Sequence, residues 1–376
     1  MSKKVAIVSL GCPKNQIDAE MMLKKLSDAG YTIVGEAMNA DIVIVNTCGF
    51  IEDAKKEAID SILEMADLKE DGCIEKILVT GCLAQRYGED ILKEFPEVNG
   101  VIGIGANGDI VDACEKLYSR FTYSSFPCNE ELPLEGERVL STPPYTAYLK
   151  IAEGCSNCCS YCAIPSIRGN YRSVEFETLI EEAKQLAAAG TKELVLIAQD
   201  TTNYGADLYG RIRLPELLDA LCEIEGIEWI RMLYCYPDKI TDELLETMAR
   251  QPKVLHYIDL PLQHADDNIL KAMNRRGDSA YLRQTIGRIR EAMPDAVIRT
   301  TFIVGFPGEG EEEFENLAEF VNEIEFDRLG CFEFSPQEGT PAFDMEDNVD
   351  SDTKLRRGEI IMQDQLEIVT LKNTER

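Results

Sequence analysis

The 376-residue sequence lacks any long hydrophobic run. Its longest apolar runs, residues 42–45 and 194–198, are far shorter than the roughly 20 residues that a membrane-spanning helix needs. The opening residues MSKKVAIVSLGC contain no apolar secretory segment. We therefore expect no membrane contact, and we expect the protein in a reducing cytoplasm, where cysteines stay unpaired.

Positive charge is also scarce. Lys and Arg together number 38 against 68 Asp and Glu, which gives a formal net charge of −30. A surface of this sign repels the phosphate backbone of nucleic acids and suits a basic partner. With 45% hydrophobic and 28% charged residues the composition is otherwise that of a globular protein, which excludes fibrous proteins and small peptide scaffolds.

The first 119 residues alternate between apolar, β-branched runs and amphipathic stretches. This alternation predicts an N-terminal α/β domain with a parallel sheet over residues 1–119. Residues 120–144 hold four prolines and no helical period, so we predict a linker there. The strand-like runs are residues 5–10, 31–34, 42–45, 77–79 and 101–104, and the helix-like stretches include residues 19–29 and 52–65.

The alternation resumes after the linker with six further strand-like runs, each followed by a helix-like stretch. Six β/α units are fewer than the eight that close a full barrel, so residues 145–350 are predicted to form an open, partial (β/α)6 barrel. Residues 351–376 are predicted as a C-terminal helix. The six runs are residues 146–152, 193–198, 228–234, 254–260, 297–304 and 327–334.

A cysteine motif follows the first strand of the predicted barrel. Cys155, Cys159 and Cys162 have the spacing C-x3-C-x2-C. Three thiolates on one short loop can hold three irons of a [4Fe–4S] cluster, because soft sulfur ligands suit iron–sulfur clusters. The fourth iron then stays open for a small molecule, which indicates a catalytic cluster rather than an electron carrier.

Cys158 leaves an alternative open at this motif. It could supply the fourth thiolate of a tetrahedral zinc site, although adjacent Cys158 and Cys159 would then have to bend onto one ion. Inert, buried cysteines are less compatible with four cysteines in eight residues beside Gly and Ser. We predict that Cys158 is not a ligand.

Three more cysteines each follow a predicted strand of the first domain. Cys12, Cys48 and Cys82 lie beside a glycine, which lets the backbone approach a bulky group closely. In a parallel sheet the loops after the strands collect at one edge. The alternative is coincidence among small buried residues, but the shared position favours a second cluster with an open iron. The remaining cysteines are predicted to be structural: Cys73, Cys114, Cys128, Cys222, Cys235 and Cys331.

In these motifs the chain resembles the radical S-adenosylmethionine methylthiotransferases. Pro13-Lys14-Asn15 and Gly49-Phe50-Ile51 are similar to the members that modify a ribosomal protein rather than tRNA. The resemblance rests on SLGCPKN, NTCGFI, GCLAQRY and YLKIAEGCSNCCSYCAIPSIRGNYRS, and it continues through IAQDTTNYG, YIDLPLQH, MNRR, IVGFPGE and FSPQEGTPA.

The resemblance implies a complete activity. A methylthio group would be added to the β-carbon of an aspartate in small-subunit ribosomal protein twelve, through a 5′-deoxyadenosyl radical. The implied cofactors are S-adenosyl-L-methionine and two [4Fe–4S] clusters facing one pocket, the second of which donates sulfur. The implied partners are that ribosomal protein, an electron donor such as a flavodoxin or ferredoxin, and a sulfur donor. Members of this family normally end in a TRAM β-barrel, which we expect to be absent from this chain.

The resemblance and the strand ends together suggest residues that contact cofactor or substrate. Tyr161 lies between two cluster ligands and could meet the adenine. Residues that follow barrel strands are further candidates, because barrel sites lie at that end. For His264 a structural role is an equal alternative, and Arg168 and Arg172 either orient a carboxylate or are exposed. The strand-end candidates are Gln199, Asp200, Gln263, His264, Gly305 and Glu309.

Two other functions remain to be compared with this one. A tRNA adenosine methylthiotransferase would share the motifs, but the net charge of −30 disfavours RNA as a partner. A non-catalytic iron–sulfur or zinc protein would share the cysteines and would cleave no S-adenosylmethionine.

Overall fold

A computed structural model describes residues 2–375. The chain divides into two units. The first comprises Met1–Pro143, Glu153–Cys155 and Ala163–Asn170, and the second comprises Pro144–Ala152, Ser156–Cys162 and Tyr171–Arg376. None of the helices in the described part of the chain is long and apolar enough to cross a membrane.

The first unit is built on a six-stranded parallel sheet in the order β2-β1-β3-β4-β5-β6, as the alternation predicts. Its strands are β1 (Lys4–Ser9), β2 (Thr32–Ile33), β3 (Ile42–Thr47), β4 (Lys76–Gly81), β5 (Gly100–Ile102) and β6 (Tyr123–Ser125). Its helices are α1 (Pro13–Asp28), α2 (Glu52–Glu70), α3 (Cys82–Tyr87), α4 (Asp90–Glu94), α5 (Ile110–Ser119) and α6 (Ile164–Arg168). Short 3-10 helices lie at Ala37–Asn39, Ile104–Asp109 and Asn129–Glu131.

Strand β3 shows how this sheet is covered on both faces. All six of its residues are buried, as expected for a central parallel strand between helices. Val43 and Val45 join a core with Ile62 of α2, whereas Ile42 and Ile44 belong to a second core. Alternate side chains therefore anchor helices on opposite faces.

The predicted linker, residues 120–144, differs from the structure. Residues 123–125 form β6, which pairs with β5 through Tyr123 opposite Gly100. This pairing depends on a neighbour more than 20 positions earlier in the chain. A local pattern of prolines and polar residues therefore could not indicate it.

The second unit carries a second parallel six-stranded sheet, in the order β14-β13-β12-β11-β10-β7. Over the described residues, β7 and β14 are its edge strands, which confirms an open barrel of six parallel strands. The strands are β7 (Thr146–Lys150), β10 (Glu193–Ile197), β11 (Trp229–Met232), β12 (Val254–Asp259), β13 (Val297–Val304) and β14 (Arg328–Glu333). Two-residue strands β8 (Ala152–Glu153) and β9 (Arg172–Ser173) lie between β7 and β10 in the chain.

Helices follow the strands of the second unit, and its final stretch forms the long helix α14. The helices are α7 (Phe176–Ala188), α8 (Ala206–Tyr209), α9 (Leu214–Cys222), α10 (Asp242–Arg250), α11 (Asp267–Ala272), α12 (Ser279–Ala292), α13 (Glu311–Ile324) and α14 (Ser351–Glu375). Short 3-10 helices lie at Thr201–Asn203, Pro237–Lys239 and Pro341–Asp344.

Candidate functional site

The first triplet along the chain, which consists of Cys12, Cys48 and Cys82, lies at one edge of the first sheet. The second triplet consists of Cys155, Cys159 and Cys162. Cys12 follows β1 and caps α1, Cys48 follows β3, and Cys82 is the first residue of α3 directly after β4. Because β1, β3 and β4 are neighbours and run parallel, their following loops meet at the same edge.

Two glycines bring these three loops into direct contact. At Gly11, which has φ +86°, a Cβ would lie 2.7 Å from Cys48 Cβ and 2.9 Å from Cys48 Sγ. At Gly49 a Cβ would lie 2.7 Å from Leu83 Cα and 3.2 Å from the carbonyl carbon of Cys82. A side chain at either position would push the cysteine loops apart. The close packing fits a site that three cysteine loops share.

The thiols of this triplet influence one another. Burial raises the pKa of Cys82 to about 12, with Cys12 and Cys48 adding to the rise and Arg168 opposing it. Burial also raises the pKa of Cys48, and Cys12 contributes there too. In residues 2–375 no group of three or more His, Cys, Asp and Glu side chains is arranged to bind a single metal ion. In a [4Fe–4S] cube, by contrast, each thiolate binds a different iron.

Arg168 lies beside this triplet and is buried. Its Nη1 lies 2.9 Å from Glu153 Oε2 and 3.0 Å from Asp18 Oδ2. Burial lowers its pKa, but Glu153, Cys82, Asp18 and Cys12 together raise it above its usual value. Arg168 is therefore buried rather than solvent-exposed, and the carboxylates that it pairs with belong to the protein itself.

The second cysteine motif is divided between the units, since residues 153–155 belong to the first and residues 156–162 to the second. In the first unit, the Cys155 N–H donates to the Gly169 carbonyl at 3.1 Å. In the second unit, the Cys162 N–H donates to the Cys159 carbonyl at 3.1 Å, which closes a tight turn. Cys158 is exposed and has φ +54°.

Two residues that the sequence did not single out surround Cys159. Its Sγ lies 2.9 Å from Tyr236 Oη, and Arg275 Nη1 lies 3.8 Å from the same sulfur. The Arg275 guanidinium also stacks on the Tyr236 ring at 3.9 Å. Tyr236 follows β11, so the strand-end rule could have found it. Arg275 belongs to the MNRR motif, which follows helix α11. Because this motif does not follow a strand, the strand-end rule could not have found Arg275.

Tyr161 lies near these residues. Burial raises its pKa well above the usual value, Arg275 opposes that rise, and Cys159 adds to it. The Tyr161 side chain also packs against the apolar cluster that contains Met273 and Phe306.

Of the strand-end candidates in the barrel, Asp200 fixes the cysteine loop. Its carboxylate accepts hydrogen bonds from Asn157 Nδ2 at 2.7 Å and from Thr202 Oγ1 at 2.7 Å, and it pairs with Lys239. Gln199, its neighbour, is half-buried. Asn157 belongs to the cysteine motif, so Asp200 orients residues 156–162.

Three other candidates are brought together in one buried network. His264 Nε2 donates to Glu309 Oε2 at 3.2 Å, since its Nδ1 already accepts from the Asp266 N–H. Glu309 Oε1 accepts from the Gly305 N–H at 2.9 Å and from Arg357 Nη1 at 2.8 Å. The network fixes the glycine-rich loop after β13. Gln263, with φ +75°, pairs instead with β13, through its N–H to the Thr301 carbonyl.

Two family models match the chain. Residues 4–103 match the model described as Uncharacterized protein family UPF0004, and residues 149–321 match the Radical SAM superfamily. The two matches cover most of the first sheet and most of the barrel.

The chain is also similar to curated proteins over nearly its whole length. It is 49% identical over 370 residues to the protein of Clostridioides difficile (strain 630) named "Ribosomal protein uS12 methylthiotransferase RimO", covering 97% of this chain and 82% of that protein. Proteins of the same name from Acetivibrio thermocellus and Geobacter sulfurreducens are each 49% identical, covering 100% and 99% of this chain and 84% and 83% of their own lengths.

Solved structures share the fold at low sequence identity. The radical S-adenosylmethionine methyltransferase TsrM from Kitasatospora setae, with cobalamin and a [4Fe-4S] cluster bound, has a TM-score of 0.65 at 12% identity, covering 91% of this chain and 74% of that one. The cobalamin-dependent S-adenosylmethionine radical enzyme OxsB has a TM-score of 0.59 at 14% identity, covering 96% and 56%.

Proposed function

Since the chain belongs to the RimO family of ribosomal protein uS12 methylthiotransferases, we propose that it adds a methylthio group to the β-carbon of an aspartate of uS12. The observation that carries the proposal is the meeting of Cys12, Cys48 and Cys82 at one sheet edge, in a chain that also holds a radical S-adenosylmethionine cysteine motif. A cluster with three protein ligands leaves an iron open for a reactant.

The superfamily implies a [4Fe–4S] cluster and S-adenosylmethionine. We assign that cluster to Cys155, Cys159 and Cys162, and a second cluster to Cys12, Cys48 and Cys82. When bound, these groups supply the one-electron chemistry and the sulfur that no side chain can provide.

The chain's own residues would hold and orient these groups. Gly11 and Gly49 leave the space in which three cysteine loops meet. Tyr236 and Arg275 contact Cys159 and fix the direction of its sulfur. Asp200 holds the cysteine loop through Asn157.

The expected partners follow from the family and from charge. A chain with a net charge of −30 attracts a basic ribosomal protein and repels RNA. The reaction also requires an electron donor such as a flavodoxin or ferredoxin and a sulfur donor. We place the reaction in the cytoplasm, where the substrate is assembled into ribosomes.

The test of the reaction is direct. The reconstituted protein is incubated anaerobically with reductant, S-adenosylmethionine and either uS12 or tRNA, and each product is weighed by mass spectrometry. A methylthio gain on the uS12 aspartate is expected. A mass gain on tRNA alone would contradict the proposal that uS12 is the substrate. The absence of 5′-deoxyadenosine among the products would favour a non-catalytic protein.

The test of the two clusters uses variants. Cys12→Ala and Cys155→Ala should each lose about half of the iron and sulfide, because each removes a ligand from one of two equal clusters. Loss of all the iron in either variant would show that the two triplets do not bind independently.

A further inference from the structure

We propose that Arg168 is a positioning residue that couples the two cysteine triplets, because it ends the short helix that packs on Cys82 of the first triplet, and its guanidinium pairs with Glu153 in the segment that carries Cys155 of the second. The inference rests on the two-cluster assignment of the proposed function. Every contact that carries it lies within the first unit.

The contact with the first triplet has an apolar part and a polar part. Ala163 and Ile167 pack against Cys82, and all three are buried. Arg168, at the end of the same short helix α6, is close enough for its positive charge to oppose the rise in the pKa of the Cys82 thiol. Helix α6 therefore both closes off this cysteine from water and provides a cation beside its sulfur.

The link toward the second triplet runs through Glu153. Its Oε2 pairs with Arg168 at 2.9 Å, while its Oε1 accepts from the Gly154 N–H at 3.0 Å. The side chain of Glu153 is fully buried, and a buried carboxylate is stabilised by such an ion pair and hydrogen bond. The carboxylate thereby orients the peptide that enters Cys155.

The backbone on either side of Arg168 completes the connection. The Gly169 carbonyl accepts from the Cys155 N–H at 3.1 Å. A Cβ at Gly154, which has φ +74°, would clash with the Asn170 carbonyl oxygen, so the two segments are in direct contact. The segment around Arg168 therefore contacts Cys82 on one side and the peptide of Cys155 on the other.

The charge of Arg168 has a second consequence. A cation beside a cluster sulfur stabilises the reduced, more negative state and raises the reduction potential. Removing the cation should lower the potential, and removing the Glu153 charge should raise it. The two variants thus differ in sign, which simple loss of packing would not produce.

The experiment measures the midpoint potential of each cluster separately by redox titration followed by electron paramagnetic resonance. Each cluster is isolated by replacing the other triplet with Ala in the full chain. We expect Arg168→Gln to shift both potentials to more negative values, Arg168→Lys to restore most of the shift, and Glu153→Gln to shift both to more positive values.

The matched control is Arg138→Gln, since Arg138 also forms a buried ion pair in the first unit, with Glu20 at 3.0 Å. It should leave both potentials unchanged. Potentials equal to the parent's in Arg168→Gln and Glu153→Gln would overturn the proposal, as would a shift confined to one cluster. Where Arg168→Gln fails to retain iron, Arg168→Lys and Glu153→Gln decide the question. A parent chain that binds fewer than two clusters would instead contradict the proposed function.

Discussion

Gly11 is the residue at which the first triplet is most tightly packed. An alanine there would place its Cβ within 3 Å of Cys48 and push that cysteine away from its partners. Gly30 is the matched control, because it has the same left-handed backbone, φ +88°, and a Cβ added there would meet nothing within 4 Å beyond its chain neighbours. Backbone strain of about 1–2 kcal/mol is then common to both variants.

We therefore predict that Gly11→Ala loses about half of the bound iron, as expected when one of two equal clusters is lost. Gly30→Ala should keep all of it. Iron and sulfide analysis after anaerobic reconstitution measures the difference. Equal iron in the two variants would show that the contact with Cys48 does not matter for the cluster.

The buried thiol of Cys114 predicts how the free energy of unfolding depends on pH. Burial raises its pKa to about 12, and its side chain lies in the core behind the first sheet. The folded state favours the neutral form of this thiol, whereas the unfolded chain ionises it from about pH 9 upward. The contribution of Cys114 to stability is therefore complete below about pH 9 and is lost as the pH rises toward 12. The free energy of unfolding should fall by about 1.4 kcal/mol per pH unit from this group.

Urea unfolding followed by circular dichroism at several pH values between 8 and 11 provides the measurement. The variant Cys114→Ala should show a shallower decline than the parent, whatever its stability at neutral pH. Parallel curves for the two proteins would contradict the assignment.

At the scale of elements, the loop of residues 154–162 holds two adjacent cysteines, Cys158 and Cys159, and our assignment makes only Cys159 a cluster ligand. Cys158 is exposed and has φ +54°, whereas the Cys159 sulfur contacts Tyr236 and Arg275. We predict that Cys158→Ala keeps both clusters and that Cys159→Ala loses one. Iron analysis and the absorbance of the clusters report the outcome. Loss of iron in Cys158→Ala alone would assign the ligand to Cys158 instead.

For the whole molecule, the dominant property is a net charge of −30. Long-range attraction to a basic substrate accelerates association at low salt and is screened at high salt. We predict that kcat/KM for uS12 falls by about tenfold or more between low and high ionic strength. The same assay at constant salt with added neutral osmolyte is the control. A value that does not change with salt would show that charge does not guide the substrate.

Much of the fold and the placement of the cysteine loops was predictable from sequence because the signals are local. The strand-like runs before Cys12, Cys48 and Cys82 are apolar and β-branched, and the parallel arrangement then requires the three following loops to share an edge. Strand β6 was missed because its pairing with β5 is a long-range contact.

The sequence by itself determined two parallel α/β sheets, six cysteines at strand ends and the sign of the surface charge. Only the tertiary structure decided that Arg168 is buried, since its partner Asn15 is 153 positions away in the chain. It also decided which side chains surround Cys159. Burial and pairing depend on residues that folding brings together, and no spacing within a single segment contains that information.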